Sequence, residues 1–289
     1  MLALTLYRLG SYFARVLPLK IRTLITATVA QVSCLVRVGT RKNIERNLAL
    51  VHGRSLDRRG LRRMSRRVVL NFARTIQVFL ELPTYRWEEV RARLEMSEFE
   101  SAVRGLGEHP VFVLASIHMG PWELGGLCLS SLGFRIHTAA LDHPSAGVTR
   151  FFEERRSQSG MINHPMRGSF NILKEALQRG DSVALLVDRA YGGTPKRFDF
   201  FGVQPEFPLG HLFLAAACQV PIMTGALVFD TGDRVRYIHG GVYYPPASAE
   251  DVDALEAIER KCLADFERFI REHSDQWFQF ELLERSGQK

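Results

Sequence analysis

The feature that most restricts the fold of this chain is an alternation of short apolar runs with amphipathic segments, which begins near residue 110. Apolar runs at 111–116 and 182–188 predict buried strands, and the segment at 169–179 predicts a helix between strands. Strands that alternate with helices form a parallel sheet with its functional groups at the strand ends. The sequence therefore predicts an α/β fold in which helices flank a central, mostly parallel sheet.

The remaining predicted elements follow the same alternation and end near residue 272. Further strands are predicted at 134–141, 161–164, 222–229, 234–240 and 242–244. Further helices are predicted at 121–132, 146–159, 208–218 and 251–272.

The first 80 residues have a different character, because they carry 16 Lys/Arg and only two Asp/Glu. The rest of the chain carries 22 basic and 29 acidic residues. Amphipathic helices are predicted at 41–51 and from about 57 to 81, and Pro83 ends the second. We therefore divide the chain into a basic helical region, 1–83, and an α/β domain, 84–289, and expect the basic region to contact an anionic partner.

An anionic membrane surface is the expected partner. Residues 2–17 predict an amphipathic helix on which Arg8 and Arg15 share one face. The longest uncharged stretch nearby, 23–36, has 14 residues, whereas a spanning helix needs about 20. The N-terminus is therefore expected to lie on a membrane rather than cross it. A core helix of a soluble domain is the alternative; nucleic-acid binding is disfavoured, because neither zinc-finger spacing nor an RRM-like aromatic strand is present.

One short segment, 116–125, contains the residues best suited to chemistry. His118 follows a predicted strand, and Pro121 fits the first turn of a helix. A helix beginning there would let the Glu123 carboxylate reach back to the imidazole, giving a general base with an orienting acid. No Ser or Cys is placed as a nucleophile, so direct transfer is favoured over a covalent intermediate. The alternative is a strand-end histidine with a capping glutamate.

The cysteines and the other histidines predict neither a disulfide framework nor a metal site. Cys34, Cys128, Cys218 and Cys262 lie far apart, without a CxxC pair. No histidine has metal-ligand spacing, and we expect no metal and no cofactor. His211, at a predicted helix start, is a candidate for lining a pocket.

The H-x4-E pattern after an apolar strand resembles the lysophospholipid acyltransferase superfamily. The surrounding segments resemble its bacterial late lipid A (lauroyl/myristoyl) acyltransferase branch, in order and spacing, over roughly residues 5–280. The segments that carry this resemblance are RKNIERNL at 41–48, NFAR at 71–74, LDHP at 141–144, RGS at 167–169, LVD at 186–188, FFG at 200–202, PLG at 208–210 and QWF at 276–278.

The resemblance implies a glycerol-phosphate-acyltransferase-like fold and a role for each matching residue. His118 would be the base and Glu123 its partner, while Arg167 would hold a phosphate or sugar group of the acceptor. Asp188 would be the acidic residue at a core strand end, and Arg189 stands where the branch usually has Gln. His164, which precedes Arg167 closely, is a further candidate for the acceptor site.

The function implied is membrane-associated O-acyl transfer from acyl carrier protein or acyl-CoA to a hydroxyl of a lipid acceptor. The acceptor would be a lipid A precursor or a related glycolipid or lysolipid. The expected location is the cytoplasmic face of the bacterial inner membrane, with peripheral or monotopic attachment. Phe200, Phe201, Phe207 and Phe213 are candidates for an acyl-channel wall, with ordinary core packing as the alternative.

Two other functional classes stay open at this point. In a thioesterase-like hydrolase, His118 would activate water instead of an acceptor hydroxyl. In a non-catalytic module, the fold would only bind a lipid or a carrier protein. The presence of both His118 and Glu123 argues against the second alternative.

Overall fold

The structure is a computed structural model that describes residues 2–141, 143–191, 195–232 and 234–283. Within these residues the helices are α1 (Leu2–Val16), α2 (Leu19–Val36), α3 (Val38–His52), α4 (Arg58–Glu81), α5 (Trp87–Arg91), α6 (Ser97–Arg104), α7 (Leu124–Ser131), α8 (Ala146–Gln158), α9 (Ser169–Gln178), α10 (Gly210–Cys218) and α11 (Val252–Glu272). The strands are β1 (Leu94–Glu95), β2 (Val113–Ser116), β3 (Ile136–Ala140), β4 (Met161–Pro165), β5 (Ser182–Leu186), β6 (Lys196–Arg197), β7 (Glu206–Phe207), β8 (Ile222–Phe229) and β9 (Val235–Tyr243).

Seven of these strands form one sheet in the order β1-β9-β8-β2-β5-β3-β4. All neighbouring pairs in this sheet are parallel except β8 and β9, which are antiparallel. The two short strands β6 and β7 pair separately. The predicted α/β class with a mostly parallel central sheet is confirmed, and the segments predicted at 234–240 and 242–244 form a single strand.

The apolar runs form central strands because both faces of the sheet are covered. All eight residues of β8 are buried, as expected for a strand between two helical layers. Successive residues of β2 join different core clusters: Val113 packs with α9, α10 and α11, and Leu114 packs with α6, α7 and α8. Strand β2 is the central strand of the sheet, between β8 and β5, so the loop that follows it leaves from the middle of the row of strand ends.

The helices of the basic region pack against this α/β body. Asp57 caps α4 by accepting a hydrogen bond from the Gly60 amide at 2.7 Å. Phe79 of α4 is fully buried in the cluster that contains α6, α7 and α8. The division of the chain at residue 83 stays a prediction.

Helix α2 contains the uncharged stretch 23–36 and begins before it, so that the helix also includes Lys20 and Arg22. Its 18 residues make it the one helix in the described ranges that could cross a membrane by length and composition. It packs along α4, where Thr26 donates to Gln77 at 2.7 Å and Arg22 pairs with Glu81 at 2.9 Å. Exposed apolar side chains on α1 and α2 are Leu6, Leu9, Tyr12, Phe13, Val16, Leu19, Ile21, Leu24, Ile25, Val29, Val32, Leu35 and Val36.

Candidate active site

The loop after β2 carries His118 through a tight passage against β8. Gly120 has a φ of +49°, and a Cβ atom there would lie 2.1 Å from the carbonyl oxygen of Leu227. Only glycine fits this position, both in conformation and in space. The Gly120 carbonyl accepts a hydrogen bond from the Thr75 hydroxyl at 2.9 Å, and its amide donates to the Gln276 carbonyl at 2.9 Å. The loop is therefore in contact with β8, with α4 and with the turn that contains Gln276.

The carboxylate beside His118 belongs to Asp188. The Asp188 Oδ1 atom lies 2.7 Å from His118 Nδ1, and its Oδ2 atom accepts the His118 backbone N–H at 3.1 Å. Strands β2 and β5 are in register with Ser116 opposite Leu186, so the residues two positions beyond each of them meet. The His118 Nε2 atom has no hydrogen-bond partner among the described residues, and the side chain is 18% exposed.

Glu123 does not orient the imidazole, which corrects the expectation from its spacing. Both of its carboxylate oxygens accept hydrogen bonds from Arg156 of α8, at 2.7 and 3.0 Å. The physical reason is that a turn spans residues 121–123, and α7 begins only at Leu124. Glu123 therefore precedes the helix instead of occupying its first turn, and its carboxylate is committed to the guanidinium of a different element.

The charges around Asp188 keep it ionised despite its burial. Burial by itself raises the pKa of this carboxyl group. The charge and hydrogen bonds of His118, together with the charge of Arg189, outweigh that effect and hold the pKa of Asp188 below its usual value. An ionised carboxylate at Nδ1 fixes the tautomer that leaves Nε2 as the basic nitrogen.

A C-terminal segment, residues 275–281, braces the same loop from the other side. The Phe278 amide donates to the His118 carbonyl at 2.9 Å, and Arg189 donates to the Phe278 carbonyl at 2.7 Å. Two asparagines of the basic region bind the same segment: Asn71 donates to the Asp275 carbonyl, and Asn47 to the Gln279 and Glu281 carbonyls. The RKNIERNL, NFAR and QWF motifs therefore meet at the site.

A cavity of about 530 Å³ opens beside His118. Its apolar lining comes from both the sheet and the helices, with Tyr7 contributed by α1. Polar side chains on the lining include His118, Glu123, Arg156 and Arg189. Apolar lining residues include Phe72, Ile76, Met96, Leu114, Leu129, Met161, Leu227 and Tyr237. A volume in this range with a few convergent polar groups is typical of a ligand site.

The sequence model described as bacterial lipid A biosynthesis acyltransferase matches residues 3–283. The chain belongs to this family. A search of curated proteins finds no match to the chain. Family membership supports acyltransferase activity and a place in lipid A biosynthesis, and it agrees with the H-x4-E segment, the cavity and the motifs that surround them.

Of the other predicted site residues, Asp188 contacts His118 and Arg189 lines the cavity. His164 does neither. His164 instead contacts the ring of His137, with 2.9 Å between their nitrogens, and His137 contacts Asp181 at 3.0 Å. Burial, and then the charge of His137, lower the pKa of His164.

Arg167 is exposed and makes no hydrogen bond or ion pair with the described residues. Its neighbour Met166 lines the cavity, so Arg167 follows the cavity wall directly in the chain. A role for Arg167 and His164 in binding the acceptor stays a prediction. Asp142 of the LDHP motif lies outside the described residues.

The four phenylalanines suggested for the channel wall do not line this cavity. Phe200, Phe201 and Phe207 are buried in the core cluster on the opposite face of the sheet, where Phe200 and Phe201 contact Trp277, and Phe213 packs against that cluster. Core packing, the alternative for these residues, is their role. The true lining was not predictable from sequence, because it combines residues from α1, α4, α7 and α8 with residues from six strands.

Proposed function

We propose that this protein is a membrane-associated O-acyltransferase. It would move a fatty acyl group from acyl carrier protein or acyl-CoA to a hydroxyl of a lipid A precursor or a related glycolipid or lysolipid. The observation that carries the proposal is the 2.7 Å contact between His118 Nδ1 and Asp188, with Nε2 left over, beside an apolar cavity.

His118 serves as the general base in this proposal. The Asp188 carboxylate accepts a hydrogen bond from Nδ1–H, so Nε2 removes the proton of the acceptor hydroxyl while that oxygen attacks the thioester carbonyl carbon. The carbon–sulfur bond then breaks, and the leaving thiolate takes the proton from the imidazolium. The products are an ester and a free thiol, and His118 returns to its starting state.

Negative charge develops on the thioester carbonyl oxygen during this attack, and a hydrogen-bond donor or a positive charge is needed to stabilise it. Arg189 lines the cavity together with His118 and contributes a positive charge there. The backbone N–H groups of the turn before α7 are a second source of donors. Removing one such donor from an acyl-transfer site typically costs about 10²–10³ in rate.

The apolar cavity is suited to the acyl chain. Ile76, Leu129 and Leu227 offer no hydrogen bonds, so a hydrocarbon loses little by entering and gains by leaving water. Two of the charged groups on the lining, Glu123 and Arg156, form an ion pair and neutralise each other.

The basic helical region would hold the site at the cytoplasmic face of the bacterial inner membrane. Exposed apolar side chains on α1 and α2 supply a face for the acyl region of a bilayer. Helix α4 carries seven arginines, and each Lys or Arg near anionic lipid contributes about 1 kcal/mol. Because Tyr7 of α1 lines the cavity, membrane attachment would bring the cavity close to lipid substrates.

The decisive experiment compares the lipids of bacteria that express wild type, His118→Ala or His109→Ala. His109 is an exposed histidine outside the cavity and serves as the matched control. We expect a lipid that gains one acyl group with wild type and His109→Ala. His118→Ala should reduce its formation by about 10²–10⁴-fold, the usual contribution of a general base.

Assays with the purified protein separate the alternatives. Transfer from a thioester to lipid by His118→Ala at the wild-type rate would refute the proposal. Release of free fatty acid without an acceptor would instead identify a hydrolase. Flotation with anionic and neutral vesicles tests the membrane contact, and equal absence from both vesicle fractions would contradict it.

A further inference from the structure

Helices α10 and α11 enclose a second group of ionisable side chains in the core, away from the cavity. His211 lies in the first turn of α10, and Glu259 and Cys262 lie three positions apart on α11. This spacing puts the carboxylate and the thiol on the same face of their helix. All three residues are at most 1% exposed, and the surrounding cluster is apolar.

The side-chain nitrogen and oxygen atoms of this group make no hydrogen bond within the described part of the chain. His211 Nε2 lies 3.0 Å from Glu259 Oε2, but the contact lacks the alignment of a hydrogen bond. Both ring nitrogens of His211 and both carboxylate oxygens of Glu259 are buried without a hydrogen-bond partner among the described residues. Ionisable groups in such surroundings normally pair with hydrogen bonds or bind a metal.

The three side chains have the arrangement that a metal ion needs. One nitrogen, one carboxylate oxygen and the Cys262 sulfur all lie within 4.8 Å of one another. In tetrahedral zinc sites, ligand atoms at bond lengths of 2.0–2.3 Å lie about 3.3–3.8 Å apart. Shifts of about 1 Å or less would therefore bring the three ligands to zinc distances.

We propose that His211, Glu259 and Cys262 form a buried, structural Zn²⁺ site. Imidazole nitrogen, carboxylate oxygen and thiolate sulfur are all zinc ligands. On binding, the Cys262 thiol releases its proton, so that Zn²⁺, one carboxylate, one thiolate and a neutral imidazole sum to zero charge. The described His, Cys, Asp and Glu side chains supply three ligands, and an enclosed water would complete the four of a tetrahedral site.

Without a cation the same group is a poor fit to its surroundings. The Glu259 side chain is fully buried, and its oxygens make no hydrogen bond to the described residues and have only the misaligned contact with His211. A divalent cation satisfies all three side chains at once.

The zinc ion would fasten α10 to α11 and thereby support the active site from a distance. Helix α11 runs into the turn Ser274–Gln276, and the next residues include Phe278, whose amide binds the His118 carbonyl. The ion itself would not contact substrate, since none of its ligands lines the cavity. The sequence could not indicate this site, because its ligands lie on two separate helices.

Metal analysis of the full-length chain, with any affinity tag removed, tests the proposal. We expect about one zinc per chain by plasma mass spectrometry after purification from zinc-replete cells. Glu259→Gln and Cys262→Ala should lose the zinc, whereas Cys218→Ala should retain it. Cys218 is a suitable control because it lies on α10 but outside the group.

Cobalt substitution provides a measurement that does not depend on the variants folding. Wild type from cobalt-grown, zinc-depleted cells should show a thiolate-to-cobalt absorption band, which Cys218→Ala should share. Wild-type protein with less than a tenth of an equivalent of any transition metal would overturn the proposal. A cobalt-loaded wild type without the thiolate band, or zinc retained in both Glu259→Gln and Cys262→Ala, would also overturn it.

Discussion

Among the histidine–carboxylate pairs of the described residues, His118–Asp188 lies at the cavity and His211–Glu259 lies in the core. The nitrogen–oxygen distances are similar, 2.7 Å for His118–Asp188 and 3.0 Å for His211–Glu259. Asp188 accepts hydrogen bonds from both the ring and the backbone of His118, whereas the His211–Glu259 contact has no hydrogen bond. The His118 side chain is partly exposed to solvent, whereas the His211 side chain is fully buried.

The difference shows why proximity alone does not identify a general base. A base must present a free nitrogen to substrate while a partner fixes the other nitrogen, and only His118 meets both conditions. The buried pair is closed to substrate, and no hydrogen bond orients its imidazole ring, so we expect its role to be structural. Disrupting the first pair should lower the reaction rate, and disrupting the second should lower stability.

The largest effect is expected when the orienting carboxylate is neutralised. Asp188→Asn should lower kcat by about 10³-fold, because the tautomer with a basic Nε2 loses its stabilisation. Glu123→Gln should keep kcat within about tenfold but lower the free energy of unfolding by about 3 kcal/mol, since it leaves the Arg156 guanidinium poorly paired. Steady-state kinetics and thermal unfolding of the same preparations measure both quantities.

A double variant provides the control for this prediction. Glu123→Gln combined with Arg156→Met removes both charges of the buried ion pair, so part of the lost stability should return. An equal loss of kcat in Asp188→Asn and Glu123→Gln, without a loss of stability in the second, would assign the orienting role to Glu123.

The sequence predicted the α/β body well because its signals are local. Strand β8 was predicted with its observed limits, 222–229, since a strand buried on both faces is a continuous apolar run. His118 was identified as a candidate base because it lies just after such a run, the one at 111–116. The start of α7 was set three residues too early, because Pro121 is also compatible with the turn that precedes the helix.

The partner of His118 required information that local spacing does not contain. Asp188 follows the observed strand β5 by the same two residues that separate His118 from β2, and the β2–β5 register brings the two side chains into contact. The sequence placed Asp188 inside the predicted strand 182–188, so this equal offset was visible only in the structure. Glu123 was closer in sequence, but its carboxylate is bound by Arg156, which lies on a helix whose packing cannot be inferred from sequence.

A smaller effect, confined to stability, is expected for the buried pair. His211→Leu should lower the free energy of unfolding by about 1–3 kcal/mol, because the fully buried Glu259 side chain would lose the polar group that lies beside it. The folded fraction should keep its kcat, since neither residue lines the cavity. Chemical denaturation, together with kinetics well below the unfolding temperature, checks both statements.

The matched comparison for His211→Leu is His118→Leu, which replaces the partly exposed histidine in the same way. It should lower kcat by about 10²–10⁴-fold with a smaller loss of stability, because the site around it stays open to solvent. If His211→Leu were as stable as wild type, the buried pair would carry no structural role, and the contrast between the two pairs would fail.

The smallest effect is a pH dependence of stability that distinguishes ordinary histidines from the Asp188 site. Burial lowers the pKa values of His52, His164, His239 and His273 in the folded protein. Below about pH 6.5, the ordinary pKa of histidine, the unfolded chain therefore binds more protons than the folded protein, and stability falls as the pH falls.

Asp188 affects stability at a lower pH than the histidines do. Because its pKa is depressed in the folded protein, its ionised carboxylate stabilises the fold above about pH 4, and this contribution is lost on further acidification. Thermal unfolding from pH 7.5 to 3 should show both ranges: His164→Gln should flatten the upper one, and Asp188→Asn only the lower one. A stability that rises between pH 7 and pH 5.5 would contradict the first sign, and an unchanged acid limb in Asp188→Asn would contradict the second.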